Sequence, residues 1–213
     1  RLGHDAKPDF VRPEWWHDTS GSNWATAFNA ALVAIQTSTT NKVKTLQMSC
    51  QVYTITASID FKDHSSAFVR YPVTFRGAGG SGGQAEGPCS NIKATGAVSR
   101  MLYFPSTATS SANAFYRFEN FTLQGNSLAV NGFEWERMSY SHFTGIDITG
   151  TTGKAMYGID FSEVLVIDRL SCRNNADCIY FTAGATNGSN NDIRITNSDF
   201  SSNTGIAVYF FKN

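Results

Sequence analysis

The sequence predicts an all-β protein, a parallel β-helix preceded by one α-helix. Three observations lead there. From Lys42 onward the apolar residues fall into a period of two, as in "TLQMSCQVYTITASIDF" and "YPVTFRGAG", the alternation of strands with one buried face. Four segments then share an outline: "FENFTLQGN" from Phe118, "FTGIDITGT" from Phe143, "IDRLSCRNN" from Ile167 and "ITNSDFSSN" from Ile195, each apolar at its first and sixth places. A second alternating run follows each one, "GFEWE", "GIDFS", "CIYFT" and "GIAVYF", led by Phe133, Ile159, Ile179 and Ile206.

A period of about two dozen residues also describes a leucine-rich repeat. That architecture spends the stretch after its Asn on a helix or an irregular segment, whereas here a second strand rich in Ile, Phe, Val and Tyr follows and leucine is scarce. Stacked coils about 4.8 Å apart therefore fit better. The ninth place holds Asn126, Asn175 and Asn203, with Thr151 substituting once. Stacked at a turn, such amides bond to backbone and to one another.

Taken in order, residues 1–22 read as an irregular lead-in, after which Asn23 is placed to cap a helix. Trp24, Phe28, Leu32 and Ile35 then share one helical stripe, with Asn29 and Gln36 facing away. Residues 1–41 thus form the lead-in and helix, and residues 42–213 the coils. The wider gap between Ile179 and Ile195 makes "AGATNGSNN", residues 183–191, a projecting loop. The last run, "GIAVYFFKN", leaves Val208, Phe210 and Phe211 needing cover, so the coils are expected to continue past Asn213.

The 213 residues carry 17 Lys and Arg against 17 Asp and Glu, and only 16% are charged. That balance argues against an electrostatic nucleic-acid binder, and no apolar run is long enough to insert in a membrane. It suits hydrogen bonding to neutral or sugar-like ligands. Cys50, Cys89, Cys172 and Cys178 are too sparse for a disulfide scaffold and read as buried thiols, with Cys172 and Cys178 able to pair in an oxidising compartment. Neither they nor the scattered His4, His17, His64 and His142 have metal-ligand spacing, so no metal, cofactor or Ser–His triad is expected. "GAGGSGG", residues 77–83, matches a dinucleotide fingerprint, but "QAEGPCS" follows instead of a helix that could hold pyrophosphate, so it reads as a turn.

The outward members of the alternation carry the candidate chemistry. If Phe133, Trp135, Ile159 and Phe161 face the core, Glu134, Asp160 and Tyr180 form an exposed column with Ala207 next. Like charges stacked so closely raise one carboxyl pKa, as a general acid requires. The other strand gives Thr122, Asp147, Ser171 and Asp199 as its outward column. There Asp147 and Asp199, two coils apart at roughly 9–10 Å, suit an inverting glycosidase pair. Single acids on exposed strands are as a rule solubilising residues. Arg169, Arg173 and Arg194 form no column with the acids, which favours hydrolysis over elimination.

"VRPEWW", "NWATAFNAALVAI", "TLQMSCQVYTI" and "VTFRGAG", in that order, resemble the start of the pectate-lyase-like superfamily of single-stranded right-handed β-helices, in particular bacteriophage tailspikes and related polysaccharide depolymerases. Two departures stand out: Ser49 to Gln51 replace a usual Pro and Gly, and Ser22 and Asn23 replace an acidic pair. The resemblance implies that the helix caps the N-terminal end of the solenoid. It further implies a homotrimer, in a virion tail or secreted, that binds and endo-hydrolyses a bacterial capsular, O-antigen or exopolysaccharide. A non-catalytic glycan-binding adhesin or tail fibre and a secreted polysaccharide lyase share the fold.

Overall fold

The structure, a computed structural model, describes residues 10–17, 23–36, 44–61, 73–79, 89–106, 113–182 and 190–211. It is a parallel β-helix: every strand pairing among the described residues is parallel, and partners come from successive coils.

Left-handed backbone at stacked positions marks the corners. The continuous ladder over Ala129–Thr149 turns at Tyr140 (φ 48°) and again at Gly145 (φ 65°). The first corner recurs in neighbouring coils at Phe115, Val164 and Asp192, and the second at Asn120, Arg169 and Asn197, all with positive φ. A third corner comprises Gly150, Asn174 and Ser202. Between the corners lie three faces. One carries Val98–Phe104, the first part of Ala129–Thr149, Lys154 to Glu163, Asp177–Phe181 and Val208–Phe210. The second stacks Thr45–Gln47, Thr74–Arg76, Arg117, His142, Val166 and Arg194 with their followers. The third stacks Val52–Ile55, Asn91–Ala94, Thr122, Asp147, Ser171 and Asp199.

Phe118, Phe143, Ile167 and Ile195 occupy one register, as the sequence indicated. Inward side chains of these positions pile into an aromatic column: Phe28 on Phe75 with centroids at 5.6 Å, then Phe75 near Phe118 at 6.3 Å and Phe118 on Phe143 at 4.9 Å. The helix Trp24–Gln36 covers the first coils with Phe28, Leu32 and Ile35, and Asn23 Oδ1 accepts the Ala25 N–H at 3.1 Å. Asn29 does not face away as expected. It grips the chain beneath, donating to Ser58 O and accepting from Asp60 N–H, while the Gln36 side chain lies outside the described residues.

The polar ladder forms at Thr151, Asn175 and Asn203. Asn175 Oδ1 accepts from Thr151 N and Oγ1, both at 2.9 Å, its Nδ2 donates to Ile148 O at 3.0 Å, and its own N–H donates to Asn203 Oδ1 at 3.0 Å. Asn126 stands apart, exposed, with φ 55° and a bond to Ala94 O.

The cysteines are not buried thiols. Cys50 and Cys89 are joined, and so are Cys172 and Cys178, with Cα separations of 4.9 and 6.0 Å. Stacking causes the first, because Val52 pairs with Asn91 and so the residues two before each lie side by side. Most of the predicted loop 183–191 and most of the glycine turn 77–83 lie outside the described residues, although Asn190–Thr196 is a strand.

Candidate functional site

The second register differs from the expected one, and the difference builds the site. Phe133 pairs with Met156, not Ile159, then Ile179 and Val208 continue the column. Glu134 therefore has Tyr103 on one side and Tyr157 on the other, followed by Tyr180 and Tyr209. Asp160 is absent from this column, and Tyr209 takes the place given to Ala207. A β-bulge follows directly: Trp135 pairs with Gly158 and Arg137 with Phe161, so Ile159 and Asp160 together oppose Glu136, with Asp160 at φ 71°. Ile159 and Phe161 are half-buried instead of lining the core, which Met156 and Gly158 line beneath Phe133 and Trp135.

Two outward columns run along this face, three residues apart, because two consecutive residues turn inward between them in each coil. The first is Arg100, Asn131, Lys154 and Asp177; the second is Tyr103, Glu134, Tyr157 and Tyr180. They are cross-linked. Arg100 donates to Glu134 Oε1 at 2.9 Å while its guanidinium lies 3.4 Å from the Tyr103 ring centroid, and Asn131 Nδ2 donates to Glu134 Oε2 at 2.7 Å. Lys154 Nζ sits 5.0 Å from the Tyr157 ring centroid and 4.7 Å from that of Tyr180. Tyr180 stacks on Tyr209 at 4.4 Å and meets Tyr157 edge-on at 6.1 Å.

Glu136 lies on the same strand face as Glu134, roughly 6.6 Å along the backbone. It accepts from the Tyr103 hydroxyl with Oε1 and from Ser106 N–H with Oε2. Burial, reinforced by the Glu136 carboxylate, pushes the Tyr103 phenol up to about 12, so it remains a proton donor throughout the neutral range. Burial raises Tyr180 as well, aided by Tyr209 and Asp177.

The like-charge crowding expected of Glu134 and Asp160 does not occur. Glu134 faces Arg100, and Asp160 Oδ2 accepts from Arg137 Nε at 2.7 Å. On the third face Thr122, Asp147, Ser171 and Asp199 do align in one outward column. Two corners separate it from Glu134, so the four acids singled out in the sequence do not converge. Asp147 is largely covered and has Arg173 Nη2 at 3.5 Å, whereas exposed Asp199 accepts from Ser201 Oγ. Of the three arginines expected to stand apart from the candidate acids, Arg173 meets Asp147, whereas Arg169 and Arg194 pair with Asp168 and Asp192, which are not among those acids.

A solved structure from Geobacillus virus E2, described as ORF18, is similar to this chain with a TM-score of 0.56 and 15% identity. At that identity the likeness concerns the fold alone. The match covers 90% of this chain and 42% of the viral one, so the chain spans less than half the length of its neighbour. No protein-family model and no curated protein matches the sequence.

Sequence reasoning missed Tyr103, Tyr157, Tyr209, Arg100 and Lys154. A signal for them was present: "RMLY", "NGFE", "KAMY", "DCIY" and "IAVY" repeat a polar or apolar leader, two inward residues and an outward Tyr or Glu. Aligning "GIDFS" with "GFEWE" on their leading glycines hid it.

Proposed function

We propose that this β-helix is of the tailspike-like depolymerase kind, engaging a bacterial surface polysaccharide along the tyrosine face and hydrolysing it there. One observation carries the reading: Tyr103, Glu134, Tyr157, Tyr180 and Tyr209 form a single outward column along the coil-stacking direction. Sugar rings are amphipathic, with apolar faces and hydroxyl rims. A ladder of phenols beside amide and carboxylate groups offers both kinds of contact to several sugars in series. In this reading Glu134 and Glu136 are the acid pair, the backbone step between them leaving rotamers to set either glycosidase spacing. Asp147 and Asp199, on another face, become the reserve pair. A place in a phage tail, or secretion, is what the sequence resemblance implies. The homotrimer remains what the sequence resemblance implies.

The test is incubation of the protein with capsular, O-antigen and exopolysaccharides, scored for new reducing ends and for ultraviolet absorbance from unsaturated uronate. Hydrolysis predicts the first without the second, and Glu134→Gln should slow it about 100- to 10,000-fold. Absorbance growing with each cut would make the protein a lyase. Binding without shortening of any bound glycan would make it an adhesin, a reading favoured by the guanidinium that each of Glu134, Asp160 and Asp147 faces.

A further inference from the structure

Lys154 is the unusual cation of the tyrosine face. Arg100 and Arg137 are ion-paired with Glu134 and Asp160. Lys154 has no carboxylate at ion-pair distance among the described residues; its ammonium instead sits over the rings of Tyr157 and Tyr180. Asp177 is its partner in register, yet Asp177 Oδ1 is engaged by the Ile206 N–H at 2.8 Å. The backbone beneath is fixed too, because Lys154 N–H donates to Asn131 Oδ1 at 2.9 Å, tying it to the amide that also holds Glu134. Two ring faces therefore steer a flexible side chain into one place, where its three N–H donors have no hydrogen-bond partner among the described residues.

We propose that Lys154, cradled by Tyr157 and Tyr180, anchors an anionic substituent of the glycan, so that the ligand is an acidic polysaccharide bearing carboxylate or sulfate groups. This rests on the glycan-binding reading above and narrows its substrate class. A neutral sugar would meet the ammonium with ordinary hydroxyl bonds. A uronate or sulfate forms charge-assisted bonds, roughly twice as strong, and supplies a counter-charge at ion-pair distance, which no carboxylate among the described residues does. The ring contacts fix the ammonium before the ligand arrives, so little side-chain freedom is lost on binding. Arg100 and Arg137 cannot substitute while they hold their own carboxylates.

The test measures binding of the full chain to polygalacturonate, hyaluronate and dextran sulfate, with dextran and pullulan as neutral comparators, in low and moderate salt. The wild-type protein should bind at least one of the acidic polymers tenfold or more tightly than the neutral ones, with affinity falling as salt rises. Which polymer wins separates carboxylate from sulfate. Lys154→Gln should remove that preference while keeping the wild-type melting temperature, and Lys154→Arg should restore part of it. Unchanged acidic-glycan binding by Lys154→Gln, or a wild-type preference for neutral polymers, overturns this inference alone. Failure of the wild-type protein to bind any glycan, acidic or neutral, overturns the glycan reading and this inference together.

Discussion

Replacing Asn175 by Ala tests the polar ladder that holds successive coils in register. The side chain is almost fully buried at 2% exposure, and its amide accepts from Thr151 N and Oγ1 and donates to Ile148 O. Ala leaves the Thr151 N–H and the Ile148 carbonyl without these partners in a place water does not reach. Each such group costs about 1–3 kcal/mol, so the loss should total about 2–6 kcal/mol. For a chain of this size that lowers Tm by roughly 4–24 °C. Asn175 has no left-handed φ, so Ala adds no backbone strain there. Asn203→Ala removes the bonds to Asn175 N–H and Cys172 O at a half-buried site and should fall at the low end of that range. Asn126→Ala, at an exposed position with one weaker bond at 3.3 Å, loses little hydrogen bonding; with the left-handed strain that Ala adds at φ 55° it should cost about 1–2 kcal/mol, less than Asn175→Ala. Urea or thermal unfolding followed by circular dichroism gives the order. Asn175→Ala within about 0.5 kcal/mol of wild type, or Asn126→Ala costing more than Asn175→Ala, would refute the ladder as a source of stability.

Three further outcomes follow from other contacts. Gly158→Ala should destabilise by about 1–3 kcal/mol in the same assay, because a Cβ there would lie 2.6 Å from Phe181 Cδ1 and 2.9 Å from Trp135 Nε1; a neutral result would contradict the packing of Trp135 against that backbone. Tyr103, with its folded pKa raised above 10.0 to about 12, contributes stability that is fully present below pH 10 and lost as pH rises towards 12; unfolding at graded pH should show a shallower alkaline decline in Tyr103→Phe than in wild type. Reduction should separate the two disulfides by loop length: opening Cys50–Cys89, which spans 39 residues, should cost ~4 kcal/mol, and opening Cys172–Cys178, which spans 6, ~2 kcal/mol, read from unfolding of the Cys→Ala variants.

The architecture was legible because its strongest signal is redundant. Phe118, Phe143, Ile167 and Ile195 each lead a segment with an apolar sixth place, and three of four end on Asn, so an error at one place is corrected by the others. The third-face column of Thr122, Asp147, Ser171 and Asp199 followed from that register unaided. The tyrosine column did not, because alternation cannot locate a bulge. Asp160 adopts left-handed backbone at the bulge, and "GIDFS", which contains it, copies the look of "GFEWE" three residues out of register. Ion pairs such as Arg100 with Glu134 and Arg173 with Asp147 join residues of adjacent columns, so they become visible only when the coils are stacked. The Cys50–Cys89 bridge was hidden for the same reason, its halves being 39 residues apart in the chain and side by side in the ladder.

Affinity electrophoresis through gels containing the glycan most tightly bound by the wild-type protein compares the two candidate faces directly. Tyr157→Ala/Tyr180→Ala removes two aromatic side chains from the centre of the first face and should weaken binding by about tenfold or more, abolishing retardation. Asp147→Asn/Asp199→Asn alters only the third face and should migrate with the wild type. Full retardation of the tyrosine variant, with loss of retardation in the aspartate variant, would contradict glycan engagement by the tyrosine face and move the site to the column of Asp147 and Asp199.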